Sequence, residues 1–101
     1  MWIFVLFDLP TETEIQKKRY VKFRKGLLDD GFRMFQFSIY VRHCPSKENA
    51  SVHIQRIEKA LPPYGHIGIL TITDKQFSLM RIFYGKEKKE ISHPMQQLEL
   101  F

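Results

Sequence analysis

A chain of 101 residues with 16 lysines and arginines against 11 acidic residues carries a net charge of +5. Apolar residues make up 44% of it and charged residues 27%, the usage of one globular domain and not of a disordered tail, a fibre or a multidomain machine. A single cysteine, Cys44, excludes an internal disulfide and fits a reducing cytoplasm, and the basic excess suits an acidic partner such as nucleic acid.

The first predicted element is Trp2-Ile3-Phe4-Val5-Leu6-Phe7, an apolar, aromatic and β-branched run that reads as a strand buried on both faces. It falls far short of the ~20 residues of a membrane span. With no charged leader and no small-residue cleavage site, it is not a signal peptide. Asp8-Leu9-Pro10 closes it, because Pro10 lacks a backbone donor and pushes Leu9 towards extended geometry. Thr11 and Glu14 have capping-box spacing, with Thr13 as a competing cap, and a helical period then runs to Asp30. Tyr20, Phe23, Leu27 and Leu28 form its predicted inward stripe, and Gly31 supplies the stop.

From Phe32 to Val41 the period changes to two. Phe35, Phe37, Ile39 and Val41 point one way, and Gln36, Ser38, Tyr40 and Arg42 the other. No Gly or Asn turn interrupts residues 32 to 44, so pattern alone sees one long strand. Pro45-Ser46 opens a second helix with Ala50, Ile54, Ile57 and Leu61 inward, and Pro62-Pro63-Tyr64-Gly65 breaks it. Ile67 to Ile72 reads as another buried strand. Thr73 and Gln76 repeat the capping-box spacing ahead of a helical turn over Asp74 to Met80. Ile82-Phe83-Tyr84 reads as a short edge strand stopped by Gly85, and Lys86 to Glu90 as a charged turn. In the tail, Met95 to Phe101, Leu98 and Leu100 alternate with polar neighbours, as in a strand that adds to a partner's sheet. The order predicts an α+β, ferredoxin-like βαββαβ sandwich with an added C-terminal strand. Residues 1–101 form one domain, within which 81–101 are a strand or tail extension for dimer or partner pairing.

Among the polar residues, Asp8 stands out as a lone carboxylate directly after an apolar strand. It either caps the following helix through an Asx turn or serves as a ligand. Mg²⁺ usually takes one or two carboxylates and keeps several waters, so two Asp8 side chains in a two-fold dimer would suffice. On the first helix Lys18, Lys22 and Lys25 lie at i, i+4 and i+7, flanked by Lys17 and Arg24. Such a row can neutralise phosphates, and Glu12, Glu14, Asp29 and Asp30 partly offset it. Arg33, Arg42, Arg56 and Lys59 extend the basic charge to later elements. His43, His53, His66 and His93 have no metal-ligand spacing along the chain, and His43 and Cys44 point to opposite sides of a strand, against a zinc site. No glycine-rich phosphate loop and no activated nucleophile are present. Tyr40 and Tyr64 are the stacking candidates, with core packing as the alternative.

The stretch Phe7-Asp8-Leu9-Pro10, the basic helix after it, and Gly31-Phe32-Arg33-Met34-Phe35-Gln36-Phe37-Ser38-Ile39-Tyr40 together resemble the second CRISPR-associated protein family. Its members are small subunits of the CRISPR spacer-acquisition complex, many of them called endoribonucleases. The stretch Thr73 to Met80 is similar to members from type II systems. The resemblance implies a ferredoxin-like homodimer in which Asp8 of each protomer faces its mate and holds a shared divalent metal, Mg²⁺, as the catalytic and metal residue of a metal-dependent endonuclease. It implies nucleic-acid contacts from Lys17, Lys18, Lys22, Arg24, Lys25, Arg33 and Arg42, and a second-strand signature at Gln36, Ser38 and Tyr40. Its implied partners are two dimers of the CRISPR-associated integrase, bridged by the homodimer, with double-stranded protospacer DNA and single-stranded RNA as nucleic acids and no membrane. The adaptor role suits the residues better than the nuclease role, which rests on one carboxylate per chain. The alternative from another class is a ferredoxin-like regulatory module that binds a small metabolite.

Overall fold

The computed structural model describes residues 1–85. Strand β1 (Trp2–Asp8) leads to helix α1 (Glu14–Asp29), strands β2 (Arg33–Gln36) and β3 (Ile39–His43), helix α2 (Lys47–Lys59), strand β4 (His66–Ile72) and a short helix α3 (Asp74–Ser78). The four strands form an antiparallel sheet in the order β2-β3-β1-β4. This is an α+β, ferredoxin-like arrangement. The predicted C-terminal strand from Met95 onward lies outside the described residues. Of the predicted Ile82-Phe83-Tyr84 strand, only Tyr84 makes an isolated bridge. No described helix is long and apolar enough to cross a membrane.

Each sheet face has its own apolar cluster, because side chains alternate along a strand. On one face Ile3, Val5 and Phe7 of β1 meet Phe23 and Leu27 of α1 and Ala50 and Ile57 of α2. Phe7 is the hub, with its ring 5.3 Å from Phe23 and 5.6 Å from Tyr40. On the other face Trp2, Phe4 and Val41 pack under Phe77 of α3, whose ring stacks 3.9 Å from that of Trp2. The helix α3 covers only this half of the face. Towards the far end of β1, Leu6 is 39% exposed and Leu70 opposite Phe4 is 52% exposed.

Several details differ from the sequence reading. The cap of α1 is Thr13, which accepts from the Gln16 amide while Gln16 returns a bond to the Thr13 amide. The Thr11/Glu14 spacing is unused, because the reciprocal box forms two residues later between Thr13 and Gln16. The Phe32–Val41 stretch is not one strand. It turns at Phe37-Ser38 with Ser38 at φ 62°, and the pairing shifts register between Met34 and Gln36. Serine can occupy this left-handed region at a modest cost, so the turn carries no glycine signal. The shift leaves Phe35, Ile39 and Val41 in the α3-side cluster but ejects Phe37, 82% exposed, at the tip.

Leu28 and Leu61 point outward, at 40% and 47% exposure. The strand over Ile67–Ile72 is not buried: it begins at His66 and is an edge strand with alternating half-buried and exposed residues. The helix predicted over Asp74–Met80 ends at Ser78, with the Thr73/Gln76 box present as expected. Gly31 does stop α1, at φ 85°, and the Arg42 guanidinium lies where a Cβ would otherwise stand.

Candidate functional site

Asp8 is the last residue of β1, a central strand hydrogen-bonded to β3 on one side and β4 on the other. Its backbone is paired with β4 and follows directly on Phe7, which bonds to the β2–β3 turn, while its side chain is exposed. It is not the helix cap, a position that Thr13 fills. Alternation places it on the same face as Trp2, Phe4 and Leu6, at the end that α3 leaves uncovered.

The β2–β3 turn closes against this end. The Phe7 amide donates to the Ser38 carbonyl at 3.0 Å, and Gln36 pairs with Ile39, which in turn pairs with Leu6. Ser38 thus lies at the end of the sheet that carries Asp8, Gln36 sits one strand further out, and the third residue of that signature leaves. Tyr40 is 1% exposed on the helix side, where its hydroxyl accepts from Arg24 Nε at 2.7 Å. On the other side of β1, Asp8 is opposite His66. Residues 58 apart in the chain become register neighbours, so linear spacing gives no hint of the pair. Only the register of β1 with β4 reveals it.

The loop before His66 is fitted to Asp8. Gly65 has φ 92°, and a Cβ on it would lie 2.5 Å from Leu9 Cδ2 and 2.9 Å from the Asp8 carbonyl oxygen. Tyr64 is held in turn by the Arg19 guanidinium, 5.4 Å from its ring centroid. Asp8 and His66 therefore sit on backbone fixed by strand pairing and by a glycine-only contact.

The basic residues separate into two groups. Lys22 and Lys25 of α1 line a cleft of about 660 Å³ with Arg19, Arg56 and Lys59, floored by Phe23, Leu27 and Ile57. Lys17 and Lys18 lie exposed towards the start of α1, with Lys17 3.5 Å from Glu14. Arg33 is exposed on β2, on the open face opposite Val41. Arg42 instead faces the helices opposite Ile3, folded over Gly31, and its buried Nε has no partner in the described structure. Arg24 is committed through Nε to Tyr40, with the remainder of its guanidinium exposed.

The cleft is bordered by an ionic link that sequence reasoning missed. His53, 5% exposed, has Nδ1 2.7 Å from Asp30 Oδ2, and Arg56 Nη1 donates to Asp30 Oδ1 at 2.7 Å. Burial pushes the Asp30 carboxyl up, but the hydrogen bonds and charges of His53 and Arg56 outweigh it and hold the carboxyl below its ordinary value. At the other end of the sheet, Asp74 accepts from the Met1 ammonium and lies 3.2 Å from His43 Nε2. Its carboxyl is lowered by the hydrogen bond from that ammonium first and by His43 after it. Cys44 is fully buried, and burial raises its thiol above the ordinary value, against a nucleophilic role.

No group of three or more His, Cys, Asp or Glu among the described residues converges as a metal cage. One chain thus offers an exposed carboxylate with space for water around it, which fits an ion that keeps most of its hydration.

Residues 1–80 match the model of the family described as CRISPR associated protein Cas2. A CRISPR-associated endoribonuclease Cas2 of Flavobacterium psychrophilum is 60% identical over 101 residues, covering 100% of this chain and 88% of that protein. The protein of the same name from Parvibaculum lavamentivorans is 46% identical over the full length of both chains. That from Ligilactobacillus salivarius is 44% identical over 91 residues, 90% of each.

Proposed function

The chain belongs to the CRISPR associated protein Cas2 family, and from that premise we propose that it serves CRISPR spacer acquisition as a cytoplasmic homodimer. In this reading the dimer bridges two dimers of the CRISPR-associated integrase and carries protospacer duplex DNA on its basic surface. The observation that carries it is the sheet face that the described residues cover only in part, where Leu6 and Leu70 are exposed on the same side as Asp8. A second copy laid on this face buries the leucines and brings a second Asp8 towards the first, which one chain cannot do. Among the described residues β4 is the edge of the sheet, and such an edge offers backbone donors and acceptors to a strand from the partner.

Lys17, Lys18, Lys22 and Lys25 then form the phosphate-facing row, continued through the cleft by Arg56 and Lys59. A cationic row of this kind binds duplex backbone without reading sequence.

A second reading, metal-dependent endonuclease activity at the Asp8 pair, is favoured by the shared name of the relatives and by the exposed, rigidly held carboxylate. Asp8 would hold Mg²⁺ with water completing the shell, and the metal would supply an activated water and charge stabilisation at a phosphodiester. The chain's own part is to fix the carboxylate at the end of a doubly paired strand.

Mass measurement of the protein alone, with the integrase and with a short duplex tests the main reading. A dimer that joins both is expected, and a persistent monomer that ignores both refutes it. Replacing Lys22 or Lys25 by Ala should each reduce the slope of log affinity against log salt by about one. A salt-independent affinity would favour the metabolite-binding alternative. An Asp8→Ala protein that still supports spacer integration but no longer cleaves RNA or DNA separates the two roles.

A further inference from the structure

The geometry points to His66 as a second metal ligand from the same chain as Asp8, giving a site that prefers Co²⁺, Ni²⁺ or Zn²⁺ to Mg²⁺. This rests on the reading that Asp8 holds a divalent cation and specifies which cation and with what help.

Asp8 and His66 are direct register partners in the β1–β4 ladder. Opposed residues in an antiparallel pair share a face, with Cβ atoms about 4.5–5.5 Å apart. A carboxylate and an imidazole rooted at that separation can reach one ion at the ~2.0–2.2 Å bond lengths of nitrogen and oxygen ligands. Both side chains are exposed, so the remaining positions of the ion stay open to water, substrate or the partner's pair.

The surroundings keep that space free. Gly68, two residues along β4 on the same face and opposite Leu6, has no side chain, and a Cβ there would find its nearest neighbour 3.9 Å away at the Leu6 carbonyl. Gly65 fixes the other side by seating the loop on the Asp8–Leu9 backbone. The other described histidines are engaged elsewhere: His43 with Asp74 at the far end of the face and His53 with Asp30 on the helix side. Among the described residues His66 is the histidine placed beside Asp8.

The donor set carries the selectivity. Mg²⁺ takes oxygen ligands in a tight octahedron and gains little from an imidazole. First-row ions late in the divalent series bind imidazole well and in general bind a mixed nitrogen and oxygen site more strongly. A nitrogen beside the carboxylate therefore separates the two classes without any change at Asp8.

The test is calorimetric titration of the full chain with Co²⁺ and with Mg²⁺, joined to nitrogen-15 spectra of the histidine rings. The wild type should bind Co²⁺ at least tenfold more tightly than Mg²⁺, with the largest paramagnetic shifts on the His66 ring. His66→Gln should weaken Co²⁺ binding at least tenfold and leave Mg²⁺ binding within about twofold. His43→Gln, an exposed histidine at the far end of the same face, should leave both unchanged. Equal Co²⁺ affinity in wild type and His66→Gln, or an equal loss in His43→Gln, overturns the assignment of His66. If Asp8→Asn abolishes Mg²⁺ binding while His66→Gln changes nothing, only the second ligand is wrong. If Asp8→Asn leaves both metals bound as before, the reading of Asp8 falls and the proposed pair falls with it.

Discussion

Gly65 and Gly26 should respond to the same substitution with opposite signs. At Gly65 an alanine would have to hold φ 92°, in the left-handed half of the map, which costs an L-residue about 1–2 kcal/mol. Its Cβ would also stand 2.5 Å from Leu9 Cδ2 and 2.9 Å from the Asp8 carbonyl oxygen. Leu9 belongs to the helix-side core, and the Asp8 backbone is tied into the sheet, so neither retreats freely. Overpacking of this kind adds about 1–3 kcal/mol, and the two effects together predict a loss of about 2–5 kcal/mol for Gly65→Ala. Gly26 lies inside α1 with nothing within 4 Å of a Cβ, so Gly26→Ala should stabilise by about 0.5–1 kcal/mol through helix propensity alone. Urea unfolding followed by circular dichroism measures both. A Gly65→Ala protein within about 1 kcal/mol of wild type would refute the claim that this loop is wedged on Asp8. The same variant should move the His66 ring signal and perturb the Asp8 end, while Gly26→Ala leaves both in place.

Two further outcomes concern packing and pH. Phe77→Ala should cost about 3–5 kcal/mol, because Phe77 is 1% exposed and stacked on Trp2. Trp2 is the only tryptophan, so its fluorescence should shift to the red as the α3 cover is lost; an unchanged spectrum and melting temperature would contradict that packing. The Asp30 carboxyl is held below its ordinary value of 3.8, so its contribution to stability is complete above that pH and is lost as pH falls through the lower folded value. Asp30→Asn should remove that part of the acid destabilisation. It should also cost about 1–3 kcal/mol at neutral pH, because it weakens the charge-assisted bonds to buried His53 and to Arg56. Parallel acid-unfolding curves for the two proteins would refute the assignment.

The parts of this fold legible in the sequence were those set by local chemistry. The β1 run, the Thr73/Gln76 box, the Gly31 stop and the Ser46 start of α2 each depend on neighbours a few residues away. The β2–β3 turn was not legible, because Phe37-Ser38 carries no turn residue and the left-handed serine is imposed by pairing on both flanks. Burial of β4 was over-read for a related reason. Its residues are apolar enough for a central strand, but only topology decides that it lies at the edge.

For the site, Asp8 could be singled out as a charge closing an apolar run. The fates of Tyr40, Arg24 and Arg42 could not, since each depends on which sheet face the helices cover. His53 was missed because a histidine inside an amphipathic stripe gives no signal until its acidic partner arrives from α1.

Among the described residues the two rims of the sheet are unequal as templates for a further strand. β2 is four residues long and broken in register, whereas β4 runs seven residues with uninterrupted pairing on its inner side. A molecule with two good rims can recruit neighbours end over end into a filament. A molecule with one good rim accepts a single added strand there, and extension cannot continue from the other side. Seen this way, the irregular hairpin at Phe37 does more than close the Asp8 end of the sheet. Among the described residues it makes the β2 rim a poorer template for sheet extension than the β4 rim.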